Sequence, residues 1–171
     1  MGPQTSVDSP LRIDAVAVPS DRGQIGMTIC PGKHGAGEHG TAWERDLSAD
    51  LKVISEWGAT ALVTVMELSE KRKFGVTDLG VAATKSNLKW LHIPIADGAV
   101  PDNRFDDAWW RVAPTVLQYL RNGCKIVVHC RGGLGRTGLV VCLLLVEMDE
   151  SPEQALKLVR AARPGTVETS Q

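Results

Sequence analysis

Val127-Val128-His129-Cys130-Arg131-Gly132-Gly133-Leu134-Gly135-Arg136-Thr137-Gly138 organises the rest of this chain. Cys130 and Arg136 are separated by five residues, three of them glycine, with apolar runs on both sides. The pattern predicts a strand over Lys125 to His129, a tight glycine loop, and a helix opening near Arg136. Successive N–H groups of such a loop converge on an anion, and the helix N-terminus adds its positive end. The same field predicts a lowered thiol pKa for Cys130 and makes it a nucleophile. Arg136 supplies a planar fork that fits two phosphate oxygens. Arg131, Gly132, Gly133, Leu134, Gly135 and Arg136 are the candidate phosphate-binding residues. Thr137 can hydrogen-bond the sulfur, and His129 reads as a scaffold whose ring bonds loop carbonyls.

Outward from this loop, strands and helices alternate. Ile13 to Val18, Gln24 to Cys30, Thr60 to Met66 and Leu88 to Ile93 read as strands. Thr41 to Trp57 reads as a helix, since Leu47, Leu51 and Ile54 recur at helical spacing and Gly58 stops it. Asp102 to Asn122 reads as a second, kinked or interrupted at Pro114. Gly135 to Met148 and a helix capped by Ser151 complete the set. The expected fold is α/β, a single domain with a central, mostly parallel sheet of about four to five strands flanked by helices. Residues 1–10, polar with two prolines, read as a loose tail before a domain over 11–171.

Composition narrows the function classes. The chain has 171 residues, 43% hydrophobic and 23% charged, with net charge −1, which suits one globular domain. No basic tract is present to track nucleic acid or an anionic membrane, and no apolar run is long enough to span one. Cys30, Cys124, Cys130 and Cys142 follow no disulfide or zinc spacing, so a reducing cytoplasm is expected, with no metal and no cofactor. Gly35-Ala36-Gly37-Glu38-His39-Gly40 matches a dinucleotide fingerprint literally, but its context is a flexible loop. The tryptophans, Trp109 and Trp110 among them, read as helix packing.

The loop residues resemble the His-Cys-x5-Arg-Ser/Thr signature of the protein tyrosine phosphatase superfamily. His92-Ile93-Pro94-Ile95-Ala96-Asp97-Gly98-Ala99-Val100-Pro101-Asp102 is similar to the loop that carries the general acid in that family. Together the two motifs are most similar to the kinase-associated (cyclin-dependent kinase inhibitor 3-like) branch of the dual-specificity phosphatases. Spacing alone does not choose among Asp97, Asp102 and the pair Asp106-Asp107. The resemblance selects Asp97 as acid and base, and Asp102 falls where a helix cap is wanted.

The resemblance implies a cysteine-based phosphatase fold and hydrolysis of phosphotyrosine, with phosphoserine or phosphothreonine, on a phosphoprotein substrate. A sulfurtransferase or arsenate reductase would use a similar loop thiolate; the first needs no acid loop and the second needs a resolving thiol. A non-catalytic phosphoprotein-binding module is the remaining alternative. Inside the loop only Arg131 is basic besides Arg136, which disfavours highly phosphorylated inositol lipids.

Overall fold

The computed structural model describes residues 2–167; Gln171, to which no role is assigned, lies outside them. The N-terminal part runs through β1 (Gln4–Thr5), β2 (Asp14–Ala17), β3 (Gln24–Thr28), β4 (His34–Ala36), β5 (Ala42–Glu44) and α1 (Leu47–Glu56). It continues through β6 (Ala59–Thr64), α2 (Leu68–Lys73), α3 (Leu79–Lys85) and β7 (Lys89–His92). The remainder comprises α4 (Asn103–Arg121), β8 (Lys125–His129), α5 (Gly135–Glu147) and α6 (Pro152–Ala162).

The main sheet has five strands in the order β2-β3-β8-β6-β7. β3, β8, β6 and β7 are parallel, and β2 closes one edge antiparallel. Ile126, Val127 and Val128 of β8 are all fully buried, which explains their unbroken apolar run: both faces of the central strand are covered. This is the expected α/β architecture. Its parallel strands deliver the carboxyl ends of β3, β6 and β8 to one edge, the edge where open α/β sheets form their sites.

Five expectations change. The helix expected from Thr41 begins only at Leu47, where Asp46 caps it by accepting from Ala49 N–H at 2.7 Å. Upstream, β5 pairs with β4 and β1 in a small second sheet, and Gly35 to Gly40 form β4 and the turn into β5. The segment expected as a loose tail is likewise held over Gln4–Thr5 by β5. Beyond it, Ser6 Oγ donates to Asp50 Oδ1 at 2.8 Å and Ser9 O accepts from Arg45 Nη1 at 2.9 Å. These contacts satisfy the buried Arg45–Asp50 ion pair, whose spare polar groups need partners.

α4 passes straight through Pro114, with helical backbone on both sides. The carbonyl that Pro114 leaves unpaired belongs to Trp110, which is 73% exposed, so water can satisfy it. Trp110 therefore does not pack, whereas Trp109 is buried against Phe105. α2 and α3, six and seven residues long, have too few turns for an apolar period to announce them.

Candidate active site

The loop after β8 turns its carbonyls outward, and other elements hold them there. Arg131 O accepts from Cys30 N–H and from Lys33 Nζ, each at 3.2 Å. Gly133 O accepts from Arg163 Nε at 2.8 Å and Gly132 O from Arg163 Nη2 at 3.2 Å. Arg163 is itself fixed by Asp14 at 2.7 Å. With the carbonyls tied behind, Gly133 N–H donates to Cys130 Sγ at 3.3 Å. Only glycine fits at 133: φ is +69°, and a Cβ would stand 2.3 Å from Thr28 O. α5 starts immediately, at Gly135, so the free N–H groups of its first turn face the same point. Thr137, in that first turn, is fully buried and its Oγ1 has no hydrogen-bond partner among the described residues.

His129 lies behind the loop in a relay that fixes its tautomer. Trp90 Nε1–H donates to Thr64 Oγ1 at 2.9 Å. The Thr64 hydroxyl lies 2.7 Å from His129 Nε2, and His129 Nδ1 lies 3.1 Å from Cys130 O. Cys130 O can only accept, so Nδ1 carries the proton and Nε2 accepts from Thr64. Complete burial pushes the imidazole pKa down to about 4, which keeps the ring neutral as this relay requires.

Arg136 is 2% exposed, and its donors are largely committed. Glu70 grips it bidentately, with Nη1 to Oε2 at 2.6 Å and Nη2 to Oε1 at 2.8 Å. Nη1 also donates to Ile95 O at 2.9 Å, and Nη2 meets Asp97 Oδ1 at 3.2 Å. Of the five guanidinium donors, Nε–H and one Nη2–H have no hydrogen-bond acceptor among the described residues. Asp97 is half exposed, and its second oxygen lies 3.7 Å from Arg131 Nη1. Asp102, the rival carboxylate, caps α4 by accepting from Arg104 and Phe105 N–H groups.

A cavity of about 200 Å³ opens over the loop. It is lined by Cys130, Arg131, Gly132, Leu134 and Gly135 of the loop and by Ile29, Lys33, Ala36, Gly37, Thr41, Trp43 and Phe74 from other segments. A cavity lined by a cysteine and by the glycine loop that leads into a buried, carboxylate-held arginine is suited to transfer of a phosphoryl group through sulfur.

The family model for "Polymorphic toxin system, DSP-PTPase phosphatase" matches residues 35–150. The chain belongs to this phosphatase family. Among curated relatives, mouse (Mus musculus) cyclin-dependent kinase inhibitor 3 is 31% identical over 127 residues, 73% of this chain and 59% of that protein. Mouse protein tyrosine phosphatase type IVA 2 is 32% identical over 111 residues, 60% of this chain and 66% of that protein. The chain thus spans under two thirds of the length of both relatives. The crystal structure of kinase associated phosphatase, with its catalytic-site cysteine changed to serine, superposes with a TM-score of 0.80 at 25% identity. That match covers 94% of this chain and 89% of the other. The kinase-associated likeness read from the motifs is therefore also a likeness of fold.

Within this phosphatase domain Cys130 and Arg131 line the cavity, Asp97 stands in ion-pair range of both Arg131 and Arg136, and His129, Arg136 and Thr137 are buried. The structure adds three residues that motif reading passes over: Glu70 on Arg136, Arg163 on the loop carbonyls, and Lys33 in the cavity wall. None carries a local signal, because each lies far along the chain from the residue it contacts. Cys30 is buried beside the loop, and burial pushes its thiol up to about 12. Burial also raises the Cys142 thiol, so neither is primed as a resolving nucleophile.

Proposed function

We propose that this domain hydrolyses phosphotyrosine, together with phosphoserine and phosphothreonine, on phosphoprotein substrates through a cysteinyl-phosphate intermediate in a reducing, cytoplasmic setting. The observation that carries this reading is the pairing of Cys130 Sγ with Gly133 N–H at the head of α5 while Glu70 holds the Arg136 fork beside it. The Cys130 thiolate attacks phosphorus; an S–P bond forms as the P–O bond to the substrate breaks. Asp97 gives its proton to the departing oxygen. Water then attacks phosphorus, Asp97 takes the proton, and the S–P bond breaks to return the thiolate and release phosphate.

Loop N–H groups and the fork bind the equatorial oxygens, where transition-state charge resides. A bidentate grip needs Nε–H and an Nη2–H, and Asp97 Oδ1 stands 3.2 Å from Nη2 as an ion-pair partner, so incoming phosphate competes with Asp97 for the guanidinium. Phosphate entry releases Asp97 toward the leaving group. Thr137 Oγ1, buried without a partner, supplies a hydrogen bond to sulfur when the S–P bond breaks.

The test is release of phosphate from p-nitrophenyl phosphate with EDTA present, for wild type and Cys130→Ser, from mildly acidic to neutral pH. Turnover by wild type and its loss by at least about a thousandfold in the serine variant is the expected result. A folded wild type that binds phosphoprotein without releasing phosphate would replace this reading with a binding module.

A further inference from the structure

Lys33 is a charged group in the cavity wall whose chemistry the reaction above does not use. It is a lysine only 4% exposed, on the segment between β3 and β4. Its ammonium has three donors, yet among the described residues its partners are a single carbonyl, Arg131 O at 3.2 Å, and the Trp43 ring at 3.8 Å. No carboxylate of the described residues pairs with it within 4.0 Å. The charged or ionisable groups that face it are Cys30 from the end of β3, Cys130 and Arg131 from the loop, and Arg45 from the approach to α1.

Buried ammonium groups are normally paired, because desolvating an unpaired charge is costly. The fold nevertheless holds Lys33 in place. Gly32 N–H donates to Asp50 Oδ2 at 2.9 Å, and Arg45 N–H donates to Lys33 O at 3.2 Å. Gly32 has φ +69°, and a Cβ there would strike Leu47 at 2.6 Å. A cation without a carboxylate partner among the described residues thus lines the same cavity as the nucleophile.

We propose that Lys33 binds a second acidic group of the substrate, a carboxylate or phosphate on the peptide beside the phosphorylated residue. This rests on the phosphatase reading above. The second group, and not the transferred phosphate, is the partner because of where the ammonium sits. Arg131 O, to which it is tied, points to the back of the loop, whereas the loop N–H groups point at the phosphate. Reading the loop alone finds one basic side chain besides Arg136; the tertiary structure adds another cation from a distant segment. Burial lowers the Lys33 pKa to about 8, with Arg131 and Arg45 adding to the push. The lysine is therefore charged at neutral pH and loses its charge as pH rises through about 8.

The experiment compares kcat/KM for phosphotyrosine peptides with glutamate or alanine flanks, using wild type, Lys33→Arg and Lys33→Met. Wild type is expected to favour the glutamate peptide about tenfold. The ratio falls to about one in Lys33→Met and survives in Lys33→Arg. In wild type it also fades between roughly pH 7 and pH 9, while in Lys33→Arg it does not, since arginine stays charged. That arm decides the matter should Lys33→Met fail to fold, because a mere strut would not titrate with the flank. Equal rates on the two peptides in wild type, or a preference that persists in Lys33→Met, would overturn the proposal. Turnover of the alanine peptide without a preference sinks only the Lys33 assignment. No turnover of either peptide by folded wild type sinks the phosphatase reading itself.

Discussion

The loop from Cys130 to Arg136 and the loop from Pro94 to Asp102 meet at the Arg136 guanidinium, and they are held in opposite ways. Behind the first are a buried imidazole relay, an arginine clamping two carbonyls, and a bidentate carboxylate. The second bears an exposed Gly98 at φ +70°, a turn closed by Ala99 N–H to Ala96 O, and a half-exposed Asp97 on ion pairs that solvent can screen. An oxyanion cradle works by being preorganised, whereas an acid that serves both halves of a reaction must exchange partners. The buried polar contacts lie behind the Cys130–Arg136 loop and the Asp97 loop is loosely tied, as the proposed roles of the two loops require.

The sharpest way to break that contrast is Glu70→Ala. Removing it strands the buried Arg136 charge, with an expected loss of about 3–5 kcal/mol of stability. A denaturant titration checks this, and an unchanged midpoint would mean that Asp97 alone can hold the fork. Asp97→Ala is expected to lower kcat by about a thousandfold while leaving the stability unchanged, because its contacts are exposed. Vanadate binding should tighten or stay level in that variant, since the guanidinium loses the ion-pair partner beside Nη2; weaker binding would refute the exchange of partners.

The imidazole relay yields a pH test. The folded-state pKa of His129 lies below its ordinary value of 6.5, at about 4, so the unfolded chain takes up the proton first. Its contribution is complete above about pH 6.5, declines as pH falls through about 4, and amounts to about 3 kcal/mol. Urea titrations should show this slope in wild type and lose it in His129→Gln; parallel curves would show that the ring is not neutral. The smallest effect is expected for Arg163→Met, about 2 kcal/mol or a melting point lower by about 4–8 °C, because Arg12 still pairs with Asp14. A larger fall would mean that the loop collapses without its clamp.

Much of the frame was legible because its signals are local. β8, the glycine loop and α5 are consecutive, and a buried parallel strand followed by glycine and a helix has one readable pattern. Asp102 was legible as a cap for the same reason, since it serves N–H groups two and three residues on. β5 was not: Thr41 to Glu44 carry no strand period, and they pair because a distant N-terminal segment and β4 offer them edges. The straight passage of α4 through Pro114 depended on solvent exposure, which periodicity does not report.

The amino-acid sequence by itself determined one juxtaposition, a thiol, a glycine loop and an arginine on a strand–helix junction, because residues within a turn of each other are tied by covalent geometry. The tertiary structure alone decided what surrounds that point. Glu70 reaches Arg136 across 66 positions, and Lys33 reaches Arg131 across 98. Such pairs form only when β3, β6 and β8 are laid side by side with their carboxyl ends together. A buried charge acquires its partner from whatever the packing brings within a few ångströms, and no spacing along the chain records that distance.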